Sequence, residues 1–146
     1  MSELPALPVT FRPKRTRAVL LGAGAVMFVV ITVIAFLLPK LSPGERASFV
    51  FTGVLLFGVL LVLSRPKVVA DDSGVSVVNI ATSRRLAWAE IVQVTLRPGD
   101  PWVFLNLSDG TSLPALGIQP GIAREQAVAD AKALRALVDA RTPQGD

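Results

Sequence analysis

The chain is 146 residues long, 51% hydrophobic and only 18% charged, with a net charge of +4. Soluble domains carry a charged share of about a quarter, so a soluble core alone does not account for this apolar content. Cysteine and histidine are both absent, which excludes disulfides, thiolate or imidazole metal ligands, and any Ser–His or Cys–His nucleophile. The charge is also uneven: residues 1–65 carry a net +5 and residues 66–146 a net −1. A near-neutral C-terminal half argues against a nucleic-acid-binding face.

In chain order, the first element is a run from Ala18 to Leu38, 21 residues without a charge. At about 1.5 Å per residue, a helix of that length crosses a hydrocarbon core of about 30 Å. Pro39 and Lys40 close it. A second uncharged run spans Ala47 to Ser64, 18 residues, near the lower length limit for a crossing. Ser48 and Thr52 lie within it, and their hydroxyls are expected to return to the backbone of the preceding turn. The connection contains Pro43-Gly44, a turn signal, and is short enough to force an antiparallel hairpin. Neither run contains an ionisable side chain, so the hairpin reads as an anchor and not as a transport path. Ala18 and Gly22 form a small-xxx-small pair suited to close helix packing.

The flanks set an expected orientation. Arg12, Lys14, Arg15 and Arg17 precede the first run, and Arg65 and Lys67 follow the second; the connection holds two basic residues, Lys40 and Arg46, with Glu45 beside them. The excess of basic residues predicts both termini in the cytoplasm of a multi-pass plasma-membrane protein. These six residues are also the candidate membrane-surface contacts, through attraction to anionic lipid. The expected layout is a basic cytoplasmic tail over 1–17, the hairpin over 18–64, a domain over 65–141 and a tail over 142–146.

From Pro66 the apolar runs shorten and turn signals recur. Strands are expected at Lys67–Ala70, Val75–Ile80 and Arg84–Trp88, the first two joined by the turn Asp71-Asp72-Ser73-Gly74. In Ile91–Leu96 the alternation puts Val92, Val94 and Leu96 on one face. In Trp102–Leu107 it puts Val103, Leu105 and Leu107 on one face and Trp102 and Phe104 on the other. Asp109-Gly110 before Thr111–Leu116 predicts a two-residue hairpin. Gly121–Arg141 then switches to helical spacing, with Ala127, Ala131, Leu134 and Val138 on one side. The result is a small α+β domain: a curved antiparallel sheet or open barrel of about six to seven strands, its apolar face covered by the C-terminal helix.

Four segments carry a resemblance: Arg65-Pro66-Lys67-Val68-Val69-Ala70-Asp71, Arg84-Arg85-Leu86-Ala87-Trp88-Ala89-Glu90-Ile91, Arg97-Pro98-Gly99-Asp100-Pro101-Trp102-Val103-Phe104-Leu105, and the Ser108-Asp109-Gly110 hairpin. Together with the two apolar helices that precede them, they resemble the small actinobacterial membrane proteins that carry a pleckstrin-homology (PH)-like domain, of the low-molecular-weight antigen type. The resemblance covers residues 10–141. It implies a PH-like fold and no assigned activity. PH domains that bind phosphoinositides place basic residues in the loop between their first two strands. Here that loop is read as Asp71-Asp72-Ser73-Gly74, which argues against such binding.

No catalytic, metal or cofactor-binding residue is expected. Glu90 is a lone carboxylate, better suited to capping than to acid–base work. Asp71 and Asp72 have no third oxygen ligand at calcium-loop spacing. Trp88 reads as a side chain packed on a sheet face. Arg84 and Arg85 have two readings, contact with lipid phosphate or a solvated, ion-paired role. Trp102 and Phe104 also have two: an aromatic partner surface, or a face covered on both sides. These four form the candidate partner surface. The expected function is a non-catalytic, membrane-anchored interaction module that binds a protein or lipid partner at the cytoplasmic face. The rival reading is an accessory subunit of a larger membrane complex, with the hairpin as its contact surface.

Overall fold

The computed structural model describes residues 4–141; the expected tail over 142–146 lies outside the described residues. The chain divides into two compact units, residues 16–65 and a second unit made of residues 1–15 and 66–146.

The first unit is a helical hairpin. Helix α1 runs Lys14–Leu37 and helix α2 Pro43–Leu63. Both are long and apolar enough to cross a membrane. Most of their large apolar side chains are exposed: Leu37 is 73% exposed and Val26 65%. Among the described residues, the exposed large apolar side chains outside 19–63 are only Leu4, Val92 and Ile122. Soluble proteins rarely expose apolar patches beyond a few hundred Å².

Helix α2 begins earlier than the uncharged run. Ser42 accepts from Glu45 N at 3.1 Å as N-cap, and Pro43 occupies the first turn, where its missing N–H costs nothing. Ser48 and Thr52 donate to the carbonyls of Gly44 and Ser48 at 3.1 and 2.9 Å, as expected. The close approach of the helices uses a different pair of small residues from Ala18 and Gly22. A Cβ on Gly24 would lie 2.8 Å from Leu60 and Phe57 side-chain atoms, and one on Gly53 3.0 Å from Phe28. A Cβ on Gly22 would meet no atom within 4 Å beyond its own helix backbone among the described residues.

Among the described residues, the second unit holds seven strands and a helix. One sheet has the order β1-β2-β3-β4 and the other β5-β6-β7, all antiparallel. The strands are β1 Val9–Phe11, β2 Lys67–Asp71, β3 Gly74–Val78, β4 Ser83–Leu86, β5 Ile91–Thr95, β6 Val103–Leu107 and β7 Ser112–Ala115. A 3₁₀ turn, Trp88–Glu90, passes between the sheets, and helix α3, Arg124–Arg141, packs along β5. The core joins Val68, Val75, Val77, Leu86, Ile91, Val94 and Leu105 from the sheets, and Ile118 from the turn after β7, to Ala127, Ala131, Leu134, Leu137 and Val138 from α3. Each fully buried Val, Leu or Ile side chain among these contributes about 1.5–3 kcal/mol.

Three expectations change. Residues 1–17 are not merely a basic tail: Val9–Phe11 pairs with β2, with Phe11 opposite Val68 and 5% exposed, and Lys14–Arg17 already belong to α1. The alternation in β5 is broken by a bulge between Ile91 and Gln93. A bulge inserts one unpaired residue and resets the faces, so Ile91 and Val94 are both buried while Val92 is 62% exposed. The β6–β7 hairpin has three loop residues, Ser108-Asp109-Gly110. Leu107 N donates to Thr111 O at 2.8 Å and Gly110 N to Leu107 O at 3.0 Å. Gly110 takes φ +87°, the left-handed position that closes this loop type.

Candidate functional site

The outer face of the second sheet is built around Asn106 on β6. Its Nδ2 donates to Gln93 Oε1 at 3.2 Å and Thr95 Oγ1 at 3.1 Å on β5, and its Oδ1 accepts from Ser112 Oγ at 2.7 Å on β7. One amide thus ties all three strands together from the solvent side. Two residues earlier, Phe104 stands opposite Thr95 and Pro114. Trp102 packs against Phe104 with ring centroids 6.5 Å apart and planes tilted by 52°, within the favoured range for aromatic pairs. The turn Arg97–Asp100 brings the chain into Trp102: Asp100 Oδ2 accepts from Arg97 N at 2.8 Å, and Asp100 N donates to Arg97 O at 2.9 Å. A recess of about 320 Å³ opens between Thr95, Arg97, Asp100, Phe104, Asn106 and Ser112.

This face offers half-buried aromatic area beside polar groups and an exposed arginine, the composition that recognition surfaces favour. The Trp102 indole N–H is itself buried and makes no hydrogen bond among the described residues. The alternation of β6 reveals Trp102 and Phe104 in the sequence. It places Asn106 on the same face, but nothing in the pattern marks that amide as the one bridging three strands.

Arg84 and Arg85 lie elsewhere, on β4 at the edge of the first sheet. Arg85 pairs with Asp71, with Nη2–Oδ1 at 2.6 Å and Nη1–Oδ2 at 2.8 Å, and also donates to Ser73 Oγ and to Ser76 Oγ. Asp71 also accepts from the backbone N–H groups of Ser73 and Gly74. The Arg85 and Ser73 hydrogen bonds hold its carboxyl well below the usual carboxylate range. Arg85 is therefore committed to the β2–β3 turn. Arg84 is exposed, and its charge reaches Asp109, whose carboxyl is lowered chiefly by bonds from Thr111. The four candidate partner residues thus divide into two places on different sheets.

Glu90 Oε1 accepts from Ala87 N at 3.0 Å and so caps the 3₁₀ turn. Trp88 is buried and donates its indole N–H to Asp71 O at 2.9 Å. Among the described residues no group of three or more carboxylates converges on a metal position.

Of the six basic flanking residues, Arg12 sits in the link between β1 and α1, where its carbonyl accepts from Gln126 Nε2 at 2.9 Å. Lys14 and Arg15 are exposed in the first turn of α1, with Arg17 half-buried in the same turn, Arg65 exposed after α2, and Lys67 half-buried at the start of β2. The charge of Lys14 reaches Asp130 on α3, whose carboxyl is nevertheless pushed up by burial.

The connection between the first two strands is also not Asp71–Gly74. That segment joins β2 to β3; β1 and β2 are joined by residues 12–66, which include the two apolar helices. The acidic turn Asp71–Gly74 is therefore not the loop whose charge bears on phosphoinositide binding.

A four-stranded and a three-stranded antiparallel sheet with a C-terminal helix packed on them define a PH-like domain. A family described as "Bacterial PH domain" matches residues 65–137, and the chain belongs to that family. It is also 30% identical over 86 residues to uncharacterised proteins of Mycobacterium bovis and of two Mycobacterium tuberculosis strains. The alignment covers 59% of this chain and 55% of each relative, so the chain spans about half the length of the curated relatives it matches. No solved structure gives a significant match. The family match starts after α2 and leaves out β1, the strand that completes the first sheet.

Proposed function

We propose that the chain is a membrane-anchored, non-catalytic interaction module. Helices α1 and α2 cross the plasma membrane as a hairpin and hold the PH-like domain at the cytoplasmic face, where the outer face of β5–β7 receives a protein partner. The observation that carries this reading is the pairing of β1 with β2 on either side of the helices. Two strands pair only if both lie on one side of a bilayer, so the intervening helices must cross an even number of times or not at all. The apolar exposure of α1 and α2 supports crossing, and the basic flanks support the cytoplasmic side. Tethering raises the local concentration of the domain for membrane-bound partners without any new contact.

The test is photocrosslinking from position 104 of the intact protein in its own membranes. Capture of a discrete protein that is lost with Trp102→Ala, while the domain stays folded, supports the module. An accessory-subunit reading is favoured by Gly22 and Gly58. Among the described residues, a Cβ at either would meet no atom within 4 Å beyond its own helix backbone, which leaves room for a further helix. Crosslinks from positions 22 and 58, with none from 104, would assign the contact to the hairpin instead.

A further inference from the structure

Near the connection between its helices, the hairpin holds a cleft of about 590 Å³. Ala47, Val50, Phe51 and Val54 line it from α2, following the i, i+3, i+4, i+7 spacing of one helical face, and Phe36 closes it from α1. The only charged side chain in its lining is Arg46. Arg46 Nε donates to Ala35 O at 3.0 Å and Nη2 to Leu38 O at 3.2 Å. These bonds cap the C-terminal carbonyls of α1 and fix the plane of the guanidinium. They leave Nη1 with no hydrogen bond among the described residues. Lys40, in the connection between the helices, adds an exposed cation.

We infer that this cleft binds one anionic phospholipid, with an acyl chain against Phe36, Val50, Phe51 and Val54 and the headgroup phosphate on Arg46. The inference rests on the proposed crossing of the membrane by α1 and α2. An apolar trough with a single oriented arginine complements a molecule that is hydrocarbon for most of its length and anionic at one end. Arginine suits that role because its unspent N–H groups present a preorganised donor edge to phosphate oxygens. A neutral zwitterionic lipid fits the trough but carries no net charge to match the arginine, and a second hairpin would bring no phosphate.

Intact protein in mild detergent is to be incubated with phosphatidylglycerol or phosphatidylcholine of the same acyl chains and read by native mass spectrometry. One phosphatidylglycerol is expected to stay bound, about tenfold more tightly than phosphatidylcholine, whose choline cation offsets the phosphate charge that Arg46 meets. Val50→Trp, which fills the trough, should abolish retention of both lipids. Arg46→Gln should erase the preference. Equal retention of the two lipids by the unaltered protein overturns the inference, as does undiminished phosphatidylglycerol binding in Val50→Trp. So does a dimer that Val50→Trp dissociates, which would give the cleft to a second copy. Carbonate washing of native membranes separates the two readings: release of the protein defeats the crossing, while retention without lipid preference defeats only the cleft.

Discussion

Phe11 and Val68 face each other in the β1–β2 ladder, with both apolar helices in the chain between them. The hairpin is therefore not a leader preceding a finished domain but an insertion within its first sheet. Both links to it leave from the same end of one strand pair.

The domain should accordingly depend on residues before the hairpin. Phe11→Ala removes a nearly buried ring and is expected to lower stability by about 3 kcal/mol, measured by thermal unfolding of the intact protein in detergent. A fragment starting at residue 66 leaves the β2 edge unpaired and should aggregate. A chain in which residues 13–65 are replaced by a short Gly-Ser loop should keep β1 and stay soluble and monomeric by light scattering.

Asn79 joins the two sheets. Its Nδ2 donates to Pro114 O at 2.8 Å and its Oδ1 accepts from Leu116 N at 3.0 Å, and the residue is 8% exposed. Asn79→Ala leaves both backbone groups without that partner and should cost about 1–3 kcal/mol, read as a lowered unfolding midpoint in denaturant. Val92→Thr, at an exposed position, should change stability by less than about 0.5 kcal/mol.

The Asp71–Arg85 pair gives the domain a defined acid response. The folded carboxyl titrates below its ordinary value of 3.8. Its contribution is therefore fully present above that value and fades as pH falls from there toward the folded pKa. Asp71→Asn should be less stable than the parent by a constant margin between about pH 5 and 7, with the margin closing as pH drops below about 4. Added salt should narrow it as well, because both side chains are partly exposed. Unfolding midpoints across pH and salt check both trends.

The apolar helices, the covering helix α3 and the inward residues of β6 are legible in the sequence because each is a long or strongly periodic pattern. β1 is not. Val9-Thr10-Phe11 is three residues between Pro8 and Arg12-Pro13, too short for a periodic signal and set in a basic flank that reads as orientation alone. Its partner strand lies beyond both helices, so nothing local marks the pairing. The bulge at Ile91–Gln93 is hidden for the opposite reason: Val92, Val94 and Leu96 alternate well, and only the cross-strand register shows that Val92 faces out. At the candidate surface, alternation separates Trp102 and Phe104 from the core. It does not separate them from Arg84 and Arg85, because which sheet a strand joins is a tertiary fact. Arg85 and Asp71, fourteen positions apart, meet only because β2, β3 and β4 are neighbours.

Passage of the chain through the membrane and back between β1 and β2 is tested most directly by cysteine labelling. The chain has no native cysteine, so single cysteines at Thr10, Ser42 and Ser108, all exposed, report topology without background. A membrane-impermeant maleimide is expected to label the Ser42 position in intact cells and the Thr10 and Ser108 positions only after permeabilisation. Labelling of positions 10 and 108 on opposite sides, or of all three on the same side, would contradict the crossing.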